Sequence, residues 1–122
     1  MSLAVVEMGI QENKITIEKL REKLFLRKVK VLSHSLKRMQ ERGYTNEDVR
    51  HAILYGEITH KQRMQGQNRY VVESFDTDFN PIVLIVTIDR DEPEYYSVVS
   101  VMPPIKEKFK RRIGTIMRKV VA

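Results

Sequence analysis

The sequence predicts an α+β fold: N-terminal helices packed on a four-stranded antiparallel sheet, followed by a C-terminal basic amphipathic helix. Three observations carry this. The apolar period is helical up to Gly56 and becomes two from Glu57 to Val101. It turns helical again after the double proline at 103–104, which cannot continue a ladder. Helices thus lie before and after a run of strands, the arrangement of an α+β domain.

Taken in order, residues 1–14 read as an N-terminal extension expected to be disordered. Residues 15–27, ITIEKLREKLFLR, bring Ile17, Leu20 and Leu24 onto one helical face, with Glu18–Glu22 and Lys19–Lys23 outside. KVKVL at 28–32 alternates and reads as a short strand. The next helix, SHSLKRMQERG at 33–43, takes Ser33 as its N-cap and ends at Gly43. Thr45 and Asp48 then form a capping box opening the helix NEDVRHAILY, with Val49, Ala52 and Ile53 inward and Gly56 closing it.

Four strands follow: 57–63, 68–75, 81–88 and 95–101. MQGQ and DTDFNP supply turn residues, and such short connections join antiparallel neighbours. The run Ile82–Ile88 is apolar on both parities, as expected of a central strand covered on both faces. Residues 15–104 therefore form the domain. Residues 105–122 form the helical tail, with Ile105, Phe109, Ile113, Ile116 and Val120 on one side and Lys/Arg on the other.

The chain has 122 residues, no cysteine and a net charge of +6. The absence of cysteine excludes disulfides and Cys-based zinc sites. No apolar run approaches a membrane span and the first ten residues do not resemble a signal peptide, so a cytoplasmic protein is expected. Charge is uneven: +5 over residues 1–75, −5 over 76–102, and seven Lys/Arg against one Glu from Pro103 onward. This asymmetry points to an anionic partner, whether nucleic acid, acidic protein or anionic membrane surface.

His34, Arg38 and Arg42 recur every fourth residue of one helix. On a helical wheel Arg38 lies about 40° and Arg42 about 80° from His34, while Leu32, Leu36 and Met39 fall at about 140–200°. The apolar side is expected to pack on the sheet while the three polar side chains face away from it together. Histidine moves protons near neutral pH, and arginine donates a planar fork to phosphate oxygens. These are the parts needed for metal-independent RNA cleavage, with His34 as the catalytic base and Arg38 and Arg42 as clamps. A solvated basic face accounts for the same pattern, with Glu41 pairing Arg38 at i,i+3.

Lys61, Arg63 and Arg69 flank the first hairpin and would extend a nucleic-acid-binding surface; they also fit a charged hairpin edge. Tyr70, Tyr95 and Tyr96 could stack on bases or pack within the sheet. His51 and His60 are not at metal-ligand spacing, and DTDFNP lacks the Gly and Glu of a calcium loop, so neither metal nor cofactor is expected.

The stretch LSHSLKRMQERGYTNEDVRHAILYGEI resembles a bacterial and archaeal family listed as a domain of unknown function. The resembling residues are His34, Arg38, Arg42, Gly43, Thr45, Glu47, Asp48, Val49, Gly56, Glu57 and Ile58. The likeness runs on loosely through NRYVV, PIVLIVTI and YYSVVSVMPP, spanning most of residues 31–104. That family is grouped with the RelE, barnase and colicin D type of small RNase fold. The resemblance implies a toxin-like ribonuclease acting on RNA or the ribosome, or alternatively a non-catalytic RNA-binding or toxin–antitoxin interaction domain. An acidic antitoxin-like protein is the partner it implies; the Ile105–Val120 face of the tail, outside the resemblance, would dock on an antitoxin or on a second copy. Two departures stand out. Many relatives begin the third strand with histidine where this chain has Pro81-Ile82, and end the last with Thr-x-Tyr where it has Ser100-Val101-Met102.

Overall fold

The computed structural model describes residues 14–104. The N-terminal extension, apart from Lys14, and the C-terminal helix expected over 105–122 lie outside the described residues. Within them are three helices and five strands: α1 (Ile17–Phe25), β1 (Val29–Val31), α2 (Ser33–Glu41), α3 (Asn46–Tyr55), β2 (Glu57–Met64), β3 (Gln67–Phe75), β4 (Pro81–Ile88) and β5 (Tyr96–Met102).

The sheet corrects the expected four antiparallel strands. It has five, in the order β1-β5-β4-β3-β2, and it is mixed. Strands β2 to β5 form the antiparallel meander that their short turns require. Strand β1 joins the far edge parallel to β5, with Val29, Lys30 and Val31 opposite Tyr96, Ser97 and Val98. Parallel strands need a long crossover, and here everything from α2 to β4 forms it.

One layer of helices covers one face. Leu20 of α1, Met39 of α2 and Val49, Ala52 and Ile53 of α3 pack with Tyr70, Val72, Leu84, Val86, Val98 and Val101 of the sheet. Thr16 caps α1, its hydroxyl accepting from the Lys19 amide. Thr45 and Asp48 close the expected capping box on α3. Asp48 also accepts from the Thr77 amide and hydroxyl, tying this helix start to the β3–β4 turn. Burial alone would raise its pKa, but the Thr45 and Thr77 hydrogen bonds outweigh it and hold the carboxyl below its ordinary value.

The start of α2 differs from expectation. Leu32, not Ser33, is the N-cap residue, and no side chain caps this end. Leu32 is still extended, and its amide reaches the Val98 carbonyl at 3.4 Å, so the strand's pairing runs on until the helix begins. Gly43 ends the helix as expected, at φ 85, where an L side chain would be strained. Gly56 closes α3 for another reason. A Cβ there would stand 2.6 Å from the Ala52 carbonyl oxygen and 2.7 Å from the Ser74 Cβ, so only hydrogen lets helix and β3 meet.

Candidate nucleic-acid interface

Beyond the last residue of β1, α2 takes the place of a strand beside the outer half of β5. Two side chains fasten it there. Ser35, buried in the contact, donates its hydroxyl proton to the Val99 carbonyl. At the C-cap of α2, Arg42 Nη1 donates to the Val101 carbonyl at 2.7 Å. Helix and strand are thus joined by bonds that a neighbouring strand would otherwise make. Strand β5 carries a bulge at this point: Ser100 pairs with Ile85 and Val98 with Val86, leaving Val99 as the extra residue against β4.

The apolar side of α2 lies as its wheel predicts, with Met39 in the core and Leu36 against it. The basic row, expected to face away from the sheet, instead borders the sheet face opposite the helix layer. His34, Arg38 and Arg42 are exposed, and they line a cleft of about 360 Å3 with β5 from Val99 to Met102. Its opposite wall is Arg69 of β3. Cross-strand partners share a face and neighbours alternate. Tyr70 is opposite core-facing Val86, so Arg69 must project from the other face, toward the row. The cleft therefore gathers three guanidinium groups and one imidazole from two elements 27 or more positions apart in sequence.

Other residues singled out in the sequence fall elsewhere. Lys61 and Arg63 pair with Tyr70 and Asn68, which puts them on the helix-covered face of the hairpin, opposite to Arg69. Both are exposed, and Arg63 donates to the Asn68 side chain at 3.3 Å. Tyr70 is 3% exposed and belongs to the core. Burial raises the pKa of the equally buried Tyr96. Lys30 stands over the Tyr95 ring at 5.4 Å. His51 meets the Phe75 carbonyl at 3.0 Å amid the Tyr55, Phe75 and Phe79 rings. His60 Nδ1 lies 3.5 Å from the buried carboxylate of Glu73, which also accepts from the Thr59 hydroxyl. Of the three histidines, only His34 joins the basic cleft.

A second hollow of about 300 Å3 continues from the first, sharing His34, Arg69 and Val99 with it. Gln67, Thr87 and Asp91 line its far part. None of these was marked by the sequence, because their meeting depends on strand register and not on local pattern. At its floor lies Asp89, which accepts from the Ser97 hydroxyl at 2.7 Å and from the Glu92 amide at 2.9 Å. Lys30 completes the set with an ion pair at 3.2 Å. The Ser97 hydrogen bond leads, and against the cost of burial these partners lower the Asp89 pKa to about 2. The second hollow thus mixes carboxylates with Arg69 and Arg90, where the first cleft has no carboxylate.

Among the described residues no helix is long and apolar enough to cross a membrane. Residues 31–103, more than half of the chain, match the model of a family described as Domain of unknown function (DUF4258). No curated protein and no solved structure matches the chain. The matched segment starts in β1 and ends just past β5, so it contains both walls of the basic cleft.

Proposed function

Because the chain belongs to the DUF4258 family, whose function is unknown, its activity must be read from the cleft. We propose that it is a toxin-like, metal-independent ribonuclease acting on RNA phosphodiesters. The observation that carries this reading is the convergence of His34, Arg38 and Arg42 with Arg69 around one open cleft. Guanidinium groups bind phosphate by parallel hydrogen bonds and keep their charge at every physiological pH. Imidazole is the side chain best matched to proton transfer near neutrality.

In this reaction His34 takes the proton of a ribose 2′-hydroxyl, and that oxygen attacks the adjacent phosphorus. The new O2′–P bond forms as the P–O5′ bond breaks, and the departing 5′-oxygen takes a proton from water. Arg38 and Arg69 face the non-bridging oxygens on which negative charge builds. Arg42 is held by Val101 and contributes field and position more than a free fork. The grouping with RelE, barnase and colicin D type RNases that the sequence leads one to expect favours the same chemistry, with RNA or the ribosome as partner. An acidic antitoxin-like protein would inhibit it by covering the same cations.

One observation favours a second reading, RNA binding without cleavage. Among the described residues lining the cleft, His34 is the sole imidazole and there is no carboxylate. Incubating the purified protein with single-stranded RNA in EDTA, beside His34→Ala, separates the two. The ribonuclease predicts cleavage to 2′,3′-cyclic phosphate ends that His34→Ala loses at least about a hundredfold. Equal cleavage by both proteins would overturn His34 as base. Salt-sensitive binding with no cleavage would establish the second reading.

A further inference from the structure

We infer that the hollow lined by Gln67, Thr87 and Asp91 receives a nucleobase of a single RNA strand whose phosphate lies in the adjoining basic cleft. This rests on the RNA reading above and extends it from a phosphate site to a nucleotide site.

Three observations support it. The two hollows adjoin, sharing His34, Arg69 and Val99, so a phosphate in one and its base in the other are neighbours. They differ in charge: the first is lined by three arginines and no carboxylate, and the second sets Asp89 and Asp91 beside Arg69 and Arg90. Exposed Asp91 offers a carboxylate in the second hollow to N–H donors, which a phosphate lacks and a base edge carries. Its walls also suit a flat heterocycle. Leu32 and Val99 are half-buried aliphatic surfaces, and polar groups stand at the edge.

The Gln67 amide is held in place before any ligand arrives: Nε2 donates to the Ile88 carbonyl at 3.2 Å, so Oε1 is oriented to accept. The Thr87 hydroxyl donates to the Asn68 carbonyl at 2.9 Å and keeps its lone pairs. Groups held in this way lose little freedom on binding. Bases inside a duplex are stacked and paired, so the ligand is single-stranded.

The test compares a fluorescent RNA hexamer with an abasic ribose-phosphate hexamer of the same length, read by anisotropy. The wild-type protein is expected to bind the base-bearing strand about tenfold more tightly. Gln67→Leu should narrow that ratio several-fold while leaving abasic affinity unchanged. Asp91→Asn, at an exposed rim position, should narrow it as well without touching the core. Equal affinity of the wild-type protein for both strands overturns the inference, as does an equal loss for both strands in the two variants. Arg38→Ala and Arg69→Ala keep the two readings apart. If they leave abasic binding unchanged, the phosphate reading fails; if they weaken it while the base makes no difference, only the base site fails.

Discussion

Arg42 is anchored to Val101: its Nη1 donates at 2.7 Å to a carbonyl on the free edge of β5. Arg38, one turn earlier, makes no such bond among the described residues and stands exposed beside the cleft. Two arginines with the same spacing in sequence therefore have different work. Arg42→Ala should lower stability by about 1 kcal/mol, the typical worth of such a hydrogen bond, measured by urea denaturation. Arg38→Ala should leave stability within about 0.5 kcal/mol while weakening RNA binding.

Arg69 and Lys61 separate the two faces of the hairpin. Removing Arg69 should weaken RNA binding about tenfold and flatten the log affinity against log salt slope by about one. Lys61→Ala and Arg63→Ala, on the other face, should alter affinity less than about twofold. Fluorescence titrations between low and moderate salt check this, and equal losses at all three positions would contradict the single cleft.

Acid stability should depend on Asp89. Its folded pKa of about 2 lies below the ordinary 3.8, so its stabilising contribution is complete above that ordinary value and disappears as pH falls toward 2. Asp89→Asn and Ser97→Ala should both reduce the slope of stability against pH between about 4 and 2. Thermal melts across that range provide the check. A slope as steep in Asp89→Asn as in the parent would assign the acid sensitivity to other carboxylates.

Gly56 tests the contact between α3 and β3. Gly56→Ala drives a methyl against the Ala52 carbonyl oxygen and the Ser74 Cβ, and should cost about 1–3 kcal/mol by overpacking. Its φ of −95 suits any residue, so the loss would come from contact and not from backbone strain. Denaturant midpoints of the variant and the parent measure it.

What the sequence disclosed and what it hid follow from the range of the interactions. The Thr45–Asp48 capping box, the Gly43 and Gly56 helix ends and the inward stripe Val49–Ala52–Ile53 are local, and all were legible. The pairing of β1 with β5 joins residues 67 positions apart, with no pattern in Val29–Val31 that names its partner. The wheel correctly separated Met39 from His34 but gave no information on which sheet surface the row would border. The separation of Arg69 from Lys61 and Arg63 is a matter of register, where a shift of one residue exchanges faces. Gln67 and Thr87 are ordinary strand residues until the sheet brings them beside Asp91.

The seating of α2 on β5 has a consequence during synthesis. Ser35 and Arg42 leave the ribosome early, yet the carbonyls that hold them belong to Val99 and Val101, made some sixty residues later. Helix α2 is nine residues long with no side-chain cap, so on emerging it has no strand to steady it and its row has no opposite wall. The cleft comes into being only when the last described strand is released. A nascent chain halted anywhere before β5 would carry His34, Arg38 and Arg42 without the site they build.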